Sequence, residues 1–129
     1  PLSSNTETMK KFLKSVDVLL KRGENILIYP EQGMWWNYRK PRPMQNGAFR
    51  LAISSGVPVV PIFITMEDSD VLDNDGFYVQ KYTMNILPAI YPKPELNKKQ
   101  NIEYMKEQNY KAWVKCYEDF YKTKLTYDK

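Results

Sequence analysis

The chain contains no histidine, and this absence restricts its chemistry more than any other feature of its composition. Histidine is the commonest general base near neutral pH, because its unperturbed pKa lies in that range. Any reaction that depends on an imidazole base must therefore take that residue from outside these 129 residues.

Cysteine and long apolar runs are also scarce. The single cysteine, Cys116, excludes a disulfide within the chain and fits a reducing compartment. Its position between Trp113 and Tyr117 in a helical pattern indicates a packing role. No apolar run approaches the roughly 18 residues that would indicate a membrane span, and no signal peptide is recognisable. We therefore expect the chain to be soluble.

The residues that are present suffice for one folded domain over residues 1–129. Hydrophobic residues make up 43% of the sequence and can build a core. The net charge of +4 favours anionic partners without choosing among phosphate esters, anionic lipid and nucleic acid. The sequence begins at Pro1 and offers two or three candidate strands, too few for a parallel sheet covered on both faces. We interpret it as part of a longer domain.

Residues 24–64 predict a strand, a loop, a helix and a second strand. Residues 26–29 form a short apolar run typical of a strand in a parallel sheet, and Pro30 ends its hydrogen-bond ladder. Residues 57–64 are apolar and β-branched, but two prolines require this strand to start late, lie at an edge or contain a bulge. A strand, a helix and a strand in this order predict a right-handed crossover in a mostly parallel α/β sheet.

The helix between these strands is predicted from Asn46 as its N-cap to about Ser55, with Gly56 as its terminator. Glu31 stands at the predicted carboxyl end of the first strand. Ligands of open α/β sheets bind outside these carboxyl ends, so Glu31 and the basic loop behind it face the expected site.

Flanking elements are predicted on both sides. Ser4 and Glu7 form a capping-box pattern before an amphipathic helix that ends at Gly23. Residues 67–76 are acidic and indicate an exposed loop, and residues 78–90 alternate weakly, as a strand does. From about residue 101 to 124, aromatic side chains recur at helical spacing, which indicates a helix packed on the core.

Three short motifs follow one another along residues 29–62. They read Tyr-Pro-Glu at 29–31, Asn-Gly-Ala-Phe-Arg-Leu-Ala at 46–52 and Gly-Val-Pro-Val-Val-Pro-Ile at 56–62. They resemble the second half of the glycerophosphate and acylglycerol-phosphate acyltransferases, where a Phe-Pro-Glu-Gly-Thr-Arg strand end, a Gly-Ala helix and a Val-Pro-Val-Val-Pro-Ile strand occur in this order. A looser resemblance extends on both sides and covers most of the chain.

The resemblance implies that Glu31 is the substrate-binding glutamate of the family. Residues 32–34 read Gln-Gly-Met where the family has Gly-Thr-Arg, so the phosphate-binding arginine is missing from its usual place. Arg39, Lys40 and Arg42 are the nearest candidates to replace it, because an arginine fork can hold a phosphate through two hydrogen bonds. The alternatives are a capping or ion-pairing role for Glu31 and a merely solvated surface for the cations.

The family's catalytic motif, a His and an Asp separated by four residues, is absent, so no catalytic residue is assigned. In the family this His takes the proton from the glycerol hydroxyl as that hydroxyl attacks an acyl thioester. The resemblance therefore implies the carboxyl-terminal, acceptor-binding part of a lysophospholipid acyltransferase. We expect this fragment to be inactive alone and the full-length protein to work at the cytoplasmic side of a membrane.

The expected co-substrates are an acyl thioester, from acyl-CoA or acyl carrier protein, and a phosphorylated glycerol or lysophospholipid acceptor. We expect no further cofactor, and no metal, because the chain has no His or Cys cluster at ligand spacing. A non-enzymatic anion-binding or membrane-surface module on the same scaffold is the alternative.

Trp35, Trp36 and Tyr38 admit three interpretations. They pack beneath the long loop, they lie at a lipid interface, or they stack on single-stranded bases. We favour packing, with the membrane interface second, and we expect no nucleic-acid partner.

Overall fold

The computed structural model describes residues 5–33 and 38–127. Its elements follow the order α1 (Thr6–Lys21), α2 (Gly47–Ser55), β1 (Ile62–Leu72), β2 (Tyr78–Ile86) and α3 (Lys98–Tyr121). Helices and strands both contribute, so the general α/β class predicted from the sequence is confirmed.

Helix α1 begins after a polar capping residue and ends just before a glycine. The side chain of Asn5 caps it by accepting a hydrogen bond from the backbone N–H of Glu7 at 2.9 Å. The predicted cap at Ser4 lies outside the described residues. The helix stops before Gly23, whose φ of 82° lies in the left-handed region that favours glycine. Of its apolar side chains, only Val16 is fully buried, so its apolar face is incompletely covered within the described ranges.

Helix α2 matches its predicted span, and Gly56 ends it in the left-handed conformation with φ of 67°. Its start differs in one detail from the prediction. Asn46 precedes the helix but makes no side-chain capping bond, and its Oδ1 accepts a hydrogen bond from Lys106 Nζ at 2.8 Å. Helical spacing predicts Phe49, Ala52 and Ile53 as its inward face; Phe49 and Ala52 are buried, and Ile53 is partly buried against the same core.

The sheet is antiparallel, so the prediction of a mostly parallel sheet is wrong. Strands β1 and β2 form a two-stranded antiparallel pair from Ile62 opposite Ile86 to Leu72 opposite Tyr78. Residues 26–29, predicted as the first parallel strand, form no strand, and Leu27 is 67% exposed. A strand needs a neighbour for its N–H and C=O groups, and no described segment pairs with this run. Apolar character alone therefore did not determine pairing.

Strand β1 starts late, directly after Pro61, which confirms one of the alternatives required by the prolines. Before it, Val59 forms an isolated bridge with Ile90. The strand then continues to Leu72, so the loop predicted for residues 67–76 is wrong over its first half. The connection to β2 is tight because the Asp73 side chain accepts hydrogen bonds from the backbone of residues 75 and 77. Strand β2 begins at Tyr78 as predicted but ends at Ile86, four residues before the predicted end at residue 90.

Helix α3 supplies much of the core. It begins with a complete capping box formed by Asn97 and Gln100. Its Trp113 ring packs on Phe63 of β1, with ring centroids 5.7 Å apart. The predicted packing role of the aromatic stripe is therefore confirmed. Cys116 is partly buried against the same core, and burial raises the pKa of its thiol, as expected for a packed side chain.

The face of the β1–β2 hairpin opposite to Phe63 carries exposed apolar side chains. The cross-strand pair Ile64 and Met84 lies on this face, and these side chains are 45% and 64% exposed. None of the helices in the described ranges combines the length and hydrophobicity that crossing a bilayer requires.

Candidate functional site

Glu31 lies in a turn whose two flanks are joined by backbone hydrogen bonds. The N–H of Gln32 donates to the Tyr29 carbonyl at 3.3 Å, and the N–H of Gln45 donates to the Pro30 carbonyl at 2.8 Å. The two ends of the loop that begins at Glu31 are therefore joined at Pro30. Glu31 is half-buried, and its carboxylate makes no hydrogen bond or ion pair with another described residue. A capping or ion-pairing role for Glu31 gains no support from these residues.

Gln32 adopts a backbone conformation that glycine usually supplies. Its φ is 55°, in the left-handed region where a Cβ atom crowds the following carbonyl. The sequence has glutamine here, where the resembling family has glycine. The turn thus has a glycine-type backbone conformation at a position occupied by glutamine.

Arg42 reaches the same turn from the far end of the loop. Its guanidinium donates a hydrogen bond from Nη1 to the carbonyl oxygen of Gly33. A Cβ atom at Gly33 would lie 3.7 Å from both terminal nitrogens, so the guanidinium lies against the backbone at this point. Gly33 is two residues beyond Glu31. The structure therefore brings a predicted cation to the turn that carries the predicted carboxylate.

Arg39 and Lys40 make contacts elsewhere. Arg39 donates from Nη2 to Gln80 Oε1 at 3.4 Å, and its guanidinium lies 5.9 Å from the centroid of the Tyr121 ring. The ammonium of Lys40 donates to the Thr126 carbonyl and lies 6.0 Å from the Tyr127 ring centroid. Among the described residues, the hydrogen bonds of the three cations thus go to three different partners. Their binding roles stay predictions.

Helix α3 holds the returning part of the loop. Met44 is buried in the core, where its Sδ atom accepts a hydrogen bond from Asn109 Nδ2 at 3.3 Å. One turn earlier in the helix, Lys106 bonds to Asn46. These contacts lie on one side of α3, so the helix fixes the end of the loop that carries Arg42.

The sequence reasoning missed Tyr127, which lies beyond α3. Its hydroxyl donates to the Pro41 carbonyl at 2.6 Å and lies 2.6 Å from the Tyr110 hydroxyl. Because a phenol has one proton, Tyr110 donates in the second bond. Burial of the hydroxyl, followed by the bond with Tyr110, raises the pKa of Tyr127 above its ordinary value. Helical periodicity gave no signal for this residue, because it stops at the end of α3.

Two open grooves, about 590 and 450 Å³ in volume, run along the outer surface of α3. Charged side chains such as Glu103 and Lys111 line them, and none of the four predicted site residues does. We therefore place the candidate site at the Glu31 turn. No group of three or more potential metal ligands occurs in the described parts of the chain.

A family model described as Acyltransferase matches residues 2–65. Residues 2–65, here named the acyltransferase segment, are therefore similar to the acyltransferase family. The acyltransferase segment contains α1, the Glu31 turn, the loop with Arg42, α2 and the first residues of β1. A comparison with curated proteins and a comparison with solved structures found no match. Met34, Trp35 and Trp36 lie outside the described residues.

Proposed function

We propose that this chain is the acceptor-binding half of an acyltransferase. The complete enzyme would transfer a fatty acyl group from an acyl thioester to a hydroxyl of a phosphorylated glycerol or lysophospholipid, in phospholipid biosynthesis. The donor would be acyl-CoA or acyl carrier protein. The complete enzyme would work at the cytoplasmic side of a membrane, where its lipid acceptor is found.

The observation that carries this proposal is the turn at residues 31–33 within the acyltransferase segment. The carboxylate of Glu31 makes no hydrogen bond or ion pair with another described residue, and the guanidinium of Arg42 lies against the backbone of the turn. A glycerol phosphate offers a hydroxyl that donates hydrogen bonds and a phosphate that accepts them. Glu31 and Arg42 supply the two complementary groups.

The chemical step would need a base that this chain lacks. The acceptor hydroxyl must lose its proton as its oxygen attacks the thioester carbonyl, and the thiol then leaves. Without a histidine, the 129 residues are assigned binding and orientation of the acceptor only. We expect the isolated chain to release no thiol from an acyl thioester in the presence of lysophosphatidate.

A binding experiment separates an acceptor site from a general anion-binding module. We would titrate the 129-residue chain with glycerol 3-phosphate and with inorganic phosphate, and compare Glu31→Gln with the wild type. A hydrogen bond to a charged group contributes about 1.5 to 3 kcal/mol. Glu31→Gln should therefore weaken glycerol 3-phosphate by about 10- to 150-fold, and it should not weaken inorganic phosphate, which lacks the glycerol hydroxyls.

The matched control is Glu95→Gln, because Glu95 is exposed and lies outside the site. It should leave both affinities unchanged. Equal binding of the two ligands, with no effect of Glu31→Gln, would contradict the acceptor site and favour the non-enzymatic anion-binding module.

A further inference from the structure

The segment after α3 lies against the loop that carries the predicted cations. Two of its residues contact the loop: the Thr126 carbonyl accepts from Lys40, and the Tyr127 hydroxyl donates to Pro41. The Lys40 ammonium also lies over the Tyr127 ring. These contacts join positions 86 residues apart in sequence, so they are tertiary contacts.

From this geometry we propose that Tyr127 is a positioning residue for the loop over residues 38–42, and thereby for Arg42. The part of this inference that concerns acceptor binding rests on the proposed function. Tyr127 would not touch the acceptor. It would act through Pro41, which is fully buried and whose carbonyl accepts the hydrogen bond from the Tyr127 hydroxyl.

The position of Tyr127 is itself determined by α3. The Tyr110 hydroxyl, on the helix, donates to the Tyr127 hydroxyl and so orients its proton toward Pro41. Two residues before Tyr127, the N–H of Leu125 donates to Glu118 Oε1 at 3.0 Å. The backbone and the side chain of this segment are thus both attached to the helix. The hydrogen bond to Pro41 extends this attachment to the loop.

The loop needs such an attachment because of its length. The Gln45–Pro30 hydrogen bond closes the loop at its base, and ordering each residue between these ends costs backbone conformational entropy. Pro41 has a fixed φ and lacks an N–H group, so its carbonyl is the backbone group that it offers for a hydrogen bond. A fixed carbonyl at Pro41 restricts the direction in which Arg42, the next residue, leaves the backbone.

Loop order is tested first, without any ligand. Trypsin cleaves after lysine and arginine but not before proline, so within residues 39–43 the Arg39–Lys40 bond is the susceptible one. Tyr127→Phe removes the hydroxyl and keeps the ring. Loss of one hydrogen bond should speed cleavage at this bond by about 2- to 12-fold. Exchange of the Gln45 amide should increase with it, and exchange of amides in the middle of α3 should not change.

Tyr91→Phe is the matched control, because Tyr91 is 65% exposed, and it should change neither readout. Unchanged cleavage and exchange in Tyr127→Phe would overturn the proposal. Equal acceleration in the loop and in α3 would also overturn it, since that result reports a general loss of stability.

The affinity for glycerol 3-phosphate is measured next on the same proteins. A looser loop together with an affinity reduced by about 2- to 12-fold supports the complete inference. A looser loop with unchanged affinity, in a chain that binds the ligand, overturns the role of Tyr127 in binding. If the wild type does not bind glycerol 3-phosphate, the proposed function fails, and faster cleavage in Tyr127→Phe still supports the positioning of the loop.

Discussion

The hydroxyl of Tyr121 forms hydrogen bonds with both backbone polar groups of Met66. It accepts from the Met66 N–H at 2.9 Å and donates to the Met66 carbonyl at 3.2 Å. In an antiparallel pair, the N–H and C=O of one residue point to the same side, and those of Met66 therefore point away from β2. One side chain of α3 thus satisfies both backbone polar groups of Met66 on the edge of β1 that does not face β2.

We expect Tyr121→Phe to destabilise the fold by about 1 to 3 kcal/mol, because it leaves a part-buried N–H and a carbonyl unsatisfied. Urea unfolding followed by circular dichroism measures the change in the free energy of unfolding. Tyr91→Phe, at an exposed tyrosine, should change it by less than about 0.5 kcal/mol. Similar values for the two variants would show that the hydroxyl bridge contributes no stability.

Phe49 connects the acyltransferase segment to α3. It is 1% exposed and belongs to the same core cluster as Met105 and Trp113. Phe49→Ala should lower the free energy of unfolding by about 3 to 5 kcal/mol, through lost burial and the cavity that remains. Phe77→Ala is the matched control, because Phe77 is 71% exposed at the hairpin turn, and its effect should stay within about 0.5 kcal/mol. A small effect at Phe49 would mean that the segment and α3 do not share a core.

Local signals predicted the helices well because helical spacing, caps and glycine terminators act within a few residues. Asn46, Phe49 and Gly56 marked α2 closely, and α3 begins and ends about three residues earlier than predicted. The prediction of strand pairing failed because pairing depends on partners that are distant in sequence. The apolar run at 26–29 resembles a buried strand, but pairing requires a neighbour that this pattern does not specify.

The candidate site was predictable only in part for a similar reason. The motif resemblance indicated Glu31, and the three cations were the nearest candidates to replace the arginine missing from the motif. Their spacing in sequence suggested one cluster. Among the described residues, each cation donates to a different partner: Arg42 to Gly33, Arg39 to Gln80 and Lys40 to Thr126. Contacts between residues that are distant in sequence leave no local sequence pattern. The role of Tyr127 was missed for the same reason.

The left-handed backbone at Gln32 gives an unusual expectation for a glycine substitution. A non-glycine residue in this region costs about 1 to 2 kcal/mol, and glycine loses about 0.5 to 1 kcal/mol more entropy on folding than alanine does. Gln32→Gly should therefore be neutral or raise the free energy of unfolding by up to about 1.5 kcal/mol. Gln108→Gly, inside α3, should lower it by about 1 kcal/mol. Equal destabilisation by both variants in thermal unfolding would contradict strain at Gln32.

Glu118 should make the stability depend on acidic pH. The pKa of its carboxyl is lowered from 4.5, first by the hydrogen bond from the Leu125 N–H and also by Lys124. A carboxyl with a lowered pKa in the folded state stabilises that state above pH 4.5, and the contribution disappears as the pH falls through the folded pKa. Glu118→Gln should therefore be less stable than the wild type at pH 7, with the difference shrinking toward pH 3. A constant difference in unfolding experiments would exclude this linkage, and Glu95→Gln is the control.

The two arginines of the loop should differ in their effects on the acceptor. Arg42 lies against the backbone of the turn that carries Glu31, while Arg39 bonds to Gln80 and lies over Tyr121. If Arg42 holds the acceptor phosphate, Arg42→Ala should weaken glycerol 3-phosphate by about 1.5 to 3 kcal/mol, the range for charge-assisted hydrogen bonds. Arg39→Ala should weaken it by less. Titration of the isolated chain measures both affinities.

Kinetics of the proposed full-length enzyme would then distinguish an effect on the acceptor from an effect on the acyl donor. Arg42→Ala should raise the KM for the acceptor more than the KM for the acyl thioester, because this loop is proposed to hold the acceptor's phosphate. Arg42→Lys should restore only part of the loss, since an ammonium cannot reproduce the two parallel hydrogen bonds of a guanidinium. Arg50→Ala is the matched control, because Arg50 is exposed on α2. Equal changes in the two KM values, or an effect of Arg50→Ala as large as that of Arg42→Ala, would remove Arg42 from the proposed site and leave Glu31 as its remaining residue.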